Sequence, residues 1–185
     1  MANYKELRGK IVIVGAGESN EIGSVPNKSV IQLQAEAVKN AVRDAGLSRD
    51  DIDGVMTATT GLHTLAGTGA LNISEYMGLK PRYLDATAVG GSSFIVQIEH
   101  AAQALYHGMC NYVVISSAES GRHRIGMPPP EHHPSSPAGQ FEMPYGIFGP
   151  PTTFTMPAMR YLHTYGITRE RLAEVSVSTR AWAHM

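Results

Sequence analysis

Apolar positions along the chain follow two alternating patterns. KIVIVGAGES, residues 10–19, sets Ile11 to Val14 consecutively ahead of Gly15 and Gly17, the pattern of a buried strand that leaves through a glycine-rich exit. SVIQLQAEAVKNAVRDAG then puts Ile31, Ala35, Val38, Val42 and Ala45 on one helical stripe, with Ser29 as N-cap and Gly46 as stop. DIDGVMTATTG, residues 51–61, predicts a second strand, and GTGALNISEYMGLK a short helix ending near Gly78. RYLDATAV, residues 82–89, predicts a third strand, which breaks at Gly90-Gly91. The chain restarts there as a helix whose apolar stripe is Ile95, Ile98, Ala102 and Leu105. NYVVISSAES, residues 111–120, predicts a fourth strand. Strands alternating with helices define an α/β class, a layered domain on a mainly parallel sheet flanked by helices.

Beyond Gly121 the texture changes. Prolines stand at 128, 129, 130, 134, 137, 144, 150, 151 and 157, a density that argues against regular helix or central strand and predicts a long structured excursion or lid. A helix to about Tyr165, a break at Gly166 and a second helix capped by Thr168, with Glu170 in its first turn, complete the chain. The expected organisation is a core over 1–120, a Pro/Met-rich loop or lid over 121–157, and helices returning towards the core over 158–185. The last helix carries no stop signal, so the sequence reads as cut off.

Composition narrows the classes. A formal net charge of −1 provides no broad basic field for nucleic acid or an anionic membrane. The single cysteine, Cys110, has no internal disulfide partner, and no apolar run approaches the roughly 20 residues that cross a bilayer. A cytoplasmic protein with neither nucleic-acid nor membrane partner is the expectation.

Candidate chemistry is sparse outside the glycine pair. VGAGES lacks the third glycine of a dinucleotide loop, since position 20 is Asn20. His123, His132 and His133 lack a metal-ligand spacing, no metal site is expected, and the RHR at 122–124 reads as an exposed strand end. Cys110 is expected to be a buried small hydrophobe with a raised pKa. The elbow at Gly90-Gly91 is different. A glycine pair between strand and helix offers backbone N–H groups, close approach for a ligand and the positive end of a helix dipole, which suits an oxyanion or a thioester oxygen. Ser92 and Ser93 read as N-caps, or alternatively as substrate hydrogen-bond donors.

These segments together resemble the thiolase superfamily, in its sterol-carrier or lipid-transfer branch. The resemblance is carried by IVGAGES, LQAEAVKNAVRDAGLSRDDIDGV, LNISEYMGL, GGSSFIVQIEHAAQALYHG, YVVISSAES and MPYGIFGPPTTFTMPAMRYLHTYGITRERLAEVSV, in the expected order. It implies a thiolase-like layered fold represented here by its N-terminal half plus loop region. It also implies that the family's nucleophilic cysteine position is Gly91, so an acyl-enzyme route is lost and the backbone N–H of Gly91 is left to bind an oxyanion. Gly90, Ser92, Ser93, Met143 and Tyr145 are the implied substrate-binding positions. Relatives with glycine at that position are aldolases that split a β-hydroxyacyl-CoA beside a small zinc-ribbon and OB-fold protein. The implied function is a cysteine-independent retro-aldol cleavage with a coenzyme A thioester as substrate, no tightly bound cofactor, and a homodimer as the assembly. An acetyl-CoA acetyltransferase or lipid-transfer protein, and a non-catalytic subunit or fragment, remain alternatives.

Overall fold

The computed structural model describes residues 4–58, 69–120, 134–147 and 150–185. The chain divides into two units, Met1–Pro129 and Pro130–Met185.

In the first unit a short helix α1 (Tyr4–Leu7) precedes α2 (Val30–Asp44) and a 3-10 turn, Arg49–Asp51. Three strands follow, β1 (Gly54–Thr57), β2 (Tyr83–Asp85) and β3 (Val113–Ser116), separated by α3 (Gly69–Met77) and α4 (Ser93–Tyr106). All pairing is parallel and the order is β2-β1-β3. β1 is central and wholly buried, which is why its sequence shows no alternation of apolar and charged positions. The β1–α3–β2 and β2–α4–β3 crossovers run in opposite directions along the sheet, so right-handed connections put α3 and α4 on opposite faces. On the α2/α3 face, Val55 and Val114 pack with Ala35, Val38 and Ile73 in one apolar cluster. Alternation sends Met56, also fully buried, to the other face.

Local signals place the α2 boundaries as expected. The Ser29 N–H donates to Gln32 Oε1 at 2.8 Å, a capping-box contact, and Gly46 closes the helix in the left-handed region at φ +69°. Asp53 fastens β1 to the start of β3: its carboxylate accepts the N–H groups of Asn111 at 2.7 Å and Tyr112 at 2.9 Å.

Four expectations are corrected. Residues 10–19 are not a buried strand, and Ile13 is 81% exposed. Both sides of β1 are already occupied by β2 and β3, so among the described strands no central position is left for it. The segment instead runs against α2, where Ala16 N–H donates to Asp44 at 3.0 Å and Asn40 Nδ2 to the Glu18 carbonyl at 2.7 Å. Gly15 and Gly17 permit that approach, since a Cβ on Gly17 would lie 2.4 Å from the Ala41 nitrogen. Within 51–58, 82–89 and 111–120 the strands are limited to β1, β2 and β3, and residues 59–61 of the expected second strand lie outside the described residues. The α4 stripe is also rotated: Ser93, Gln97, Ala101 and Ala104 are buried, while Ile95 is 71% exposed.

The second unit corrects the fourth expectation. The proline-dense stretch contains α5 (Pro137–Phe141), a 3-10 turn (Met143–Tyr145) and α6 (Pro150–Thr153), and Pro157 lies in the first turn of α7 (Thr155–Tyr165). Proline is tolerated in a helix's first turn, where its missing N–H would have no intrahelical acceptor, and here it starts helices rather than preventing them. Ser136 caps α5 by accepting the Gly139 N–H at 3.0 Å. Gly166, at φ +62°, ends α7, and Thr168 caps α8 (Arg169–Ala183).

Candidate functional site

The glycine pair forms the expected elbow between β2 and α4. Gly90 has φ +73°, a left-handed turn that a side-chain-bearing residue resists, whereas Gly91 is free of that constraint. A Cβ placed on Gly91 would meet no atom within 4 Å, so the position opens onto space. Ser93 is buried, and its hydroxyl accepts the Val89 N–H at 2.9 Å while donating to the Gly90 carbonyl at 2.6 Å. Ser92 donates to the Val89 carbonyl at 3.1 Å. Both hydroxyls therefore hold the elbow's own backbone, and neither acts as a side-chain cap on the first turn of α4. An isolated parallel bridge joins Val89 and Gly91 across the turn, and the Ser93 N–H donates to the Gly90 carbonyl at 3.1 Å. The start of a fourteen-residue helix, beside open space at Gly91, suits a carbonyl oxygen that gains negative charge during a reaction.

Met143 and Tyr145 form the two ends of the 3-10 turn in the second unit, with Tyr145 exposed. His123, His132 and His133, with the RHR at 122–124, lie outside the described residues. Among the described residues no group of three or more His, Cys, Asp and Glu side chains is arranged to hold a metal ion. Cys110 is buried at the base of β1, and burial pushes its thiol up from its ordinary value, the environment of a packing residue rather than a nucleophile.

A polar constellation absent from the sequence reading lies behind the elbow. His100 Nδ1 is 2.5 Å from Asp85 Oδ2, and Thr87 Oγ1 donates to Asp85 Oδ1 at 2.6 Å. The carboxylate requires Nδ1 to carry the proton. Burial pushes the Asp85 carboxyl up, but the hydrogen bonds from Thr87 and His100 and the charge of His100 outweigh it and hold the group below its ordinary value. An open pocket of about 400 Å³ adjoins the pair, with Tyr83, His107 and Met109 also on its wall. A signal was present in the sequence: Ser93, Gln97 and His100 form a polar stripe at i, i+4 and i+7 along the helix.

A parallel three-stranded α/β layer whose sheet edge turns through a glycine elbow into a helix defines the class. No family model matches the chain. It is 31% identical over 184 residues to a 17-hydroxy-3-oxo-4-pregnene-20-carboxyl-CoA lyase of Mycobacterium tuberculosis, covering 96% of this chain and 46% of that protein. It is 30% identical over 187 residues to a steroid side-chain-cleaving aldolase of Thermomonospora curvata, with the same coverage, 96% and 46%. Among solved structures, the Ltp2-ChsH2(DUF35) aldolase superposes with a TM-score of 0.67 at 27% identity, over 84% of this chain and 38% of that one. In sequence and in fold the chain is similar to these two proteins and to this aldolase structure. It spans about half the length of the curated relatives it matches.

Proposed function

We propose that this chain supplies the thioester-binding elbow of an acyl-CoA lyase that cleaves a β-hydroxyacyl-CoA by a retro-aldol reaction. One observation carries the reading: at the start of α4 the elbow opens onto space at a residue, Gly91, that has no side chain to acylate. In such a cleavage a base removes the β-hydroxyl proton and the bond between Cα and Cβ breaks. Its electron pair then passes into the thioester as an enolate, so a ketone or aldehyde leaves and protonation of Cα gives the shortened acyl-CoA. The enolate oxygen needs hydrogen-bond donors, and the Gly91 and Ser92 N–H groups are suited to supply them. No covalent intermediate is required. The names of the two curated relatives, a lyase of a steroid carboxyl-CoA and a steroid side-chain-cleaving aldolase, support a bulky polycyclic acyl chain as the substrate.

In this reading Met143 and Tyr145 are proposed as substrate-binding positions, and Ser92 and Ser93 act by shaping the elbow. The β2 edge of the sheet, with Leu84 exposed, is the surface for a homodimer. A small zinc-ribbon and OB-fold protein is the proposed second partner, in line with the two-component name of the aldolase structure. Among the described residues no helix is long and apolar enough to cross a membrane, and the enzyme is assigned to the cytoplasm with its acyl-CoA. The test is incubation of the protein with a steroid-chain β-hydroxyacyl-CoA. Release of ketone with an equal amount of shortened acyl-CoA supports the proposal; acyl exchange with free CoA favours an acyltransferase, and inertness a non-catalytic subunit.

A further inference from the structure

β2 ends at Asp85, yet the next four residues must hold a fixed path for the elbow to stand in one place. The sheet does not hold them; one face of α4 does. His100 takes the Asp85 carboxylate at 2.5 Å, Gln97 Nε2 donates to the Thr87 carbonyl at 3.1 Å, and Ser93 Oγ accepts the Val89 N–H at 2.9 Å. Residues 85, 87 and 89, one side of an extended segment, are thus gripped in order by residues 100, 97 and 93, one stripe of a helix. Thr87 closes the set by donating to Asp85. Gln97 is 0% exposed, and its Oε1 has no partner among the described residues, so the bond to Thr87 is what its buried amide does there.

We infer that His100 is a positioning residue for the elbow: through Asp85 and the 85–89 segment it fixes where the Gly91 and Ser92 N–H groups point, without touching the substrate. Nine residues along α4 separate His100 from Gly91, roughly 13 Å of helix, so it is too far away to act directly on an oxygen held at the elbow. It is also the member of the stripe that solvent reaches, its side chain being 40% exposed. Tyr83 and Asp85 face it from β2, and Gln103 and His107 from its own helix. Asp85 is the charged acceptor in that set, which makes the Nδ1–H to carboxylate bond the contact to test.

The catalytic consequence rests on the thioester-oxygen reading of the elbow, but amide hydrogen exchange on the full chain needs no substrate and judges the coupling by itself. An asparagine amide can replace the Nδ1 donor of histidine, whereas a glutamine amide reaches to the Nε2 position. In His100→Asn the Val89 amide is expected to exchange as in the wild type. In His100→Gln it is expected to exchange about tenfold faster, the effect of one lost charge-assisted hydrogen bond, with Gly91 and Ser92 resonances shifted and the Ile73 and Val114 amides of the core unchanged. Equal exchange at Val89 in the wild type and both variants overturns the inference, as does a change in both variants that spreads to Ile73 and Val114. If cleavage of a β-hydroxyacyl-CoA is observed, His100→Gln lowers kcat with little change in KM and His100→Asn restores it. Absence of cleavage in every form counts against the lyase reading and leaves the exchange result standing.

Discussion

The Val89 N–H donates to the hydroxyl of Ser93, and through the same oxygen Ser93 donates to the Gly90 carbonyl. One buried side chain therefore ties together the residue before the glycine turn and the turn itself. Ser93→Ala removes both bonds and leaves the Val89 N–H without a partner in a part-buried place. The expected loss is about 1–3 kcal/mol of stability, read as a lower denaturation midpoint with an unchanged m-value.

The two glycines of the elbow should respond in opposite ways. Gly90 sits at φ +73°, so Gly90→Ala is expected to cost about 1–2 kcal/mol. Gly91 has neither that backbone demand nor a neighbour within 4 Å of a Cβ, so Gly91→Ala should change stability by no more than about 0.5 kcal/mol. Gly91→Cys should fold for the same reason. Its thiol, exposed at a helix start, should alkylate with iodoacetamide well before buried Cys110, as peptide mass mapping would show.

Gly17 has a role that glycine-loop reasoning misassigns. Its neighbours are the backbone atoms of α2, which cannot swing aside. Gly17→Ala is expected to destabilise by about 1–3 kcal/mol, measured by chemical denaturation, although the segment around it is exposed.

Acid should undo the Asp85 grip. The Asp85 carboxyl is held below its ordinary value in the fold, so its contribution is present in full above the unfolded pKa, ~3.9, and is lost as pH falls through the lower folded value. The stability difference between wild type and Asp85→Asn, followed by denaturation from pH 7 downwards, should stay level to about pH 5 and shrink below it. A difference that grew towards low pH would contradict the assignment.

Local rules made much of this legible. Ser29, Gly46, Gly78, Gly166 and Thr168 end or start helices for reasons that act within a few residues, and the Gly90-Gly91 break is one of the same kind. What failed was the question of which face of an element meets which neighbour. The Ile11–Val14 run has strand composition, but whether it is a strand depends on partners that are distant in sequence. The Ile95/Ile98 stripe has helical periodicity, and yet α4 turns a polar stripe inwards because the segment beneath it presents unpaired backbone groups and a carboxylate. The Asp85–His100 pair bridges fifteen residues and two elements, and only the β2–α4 crossover brings it together.

What becomes of the protein during turnover tests the role of the elbow most directly. After exposure to a steroid-chain β-hydroxyacyl-CoA, products and intact protein mass should be measured on the same sample. The predicted result is ketone and shortened acyl-CoA in equal amounts with the protein mass unchanged. An acylated protein, or acyl transfer to added CoA without ketone, would contradict the elbow's assignment as a non-covalent oxyanion site.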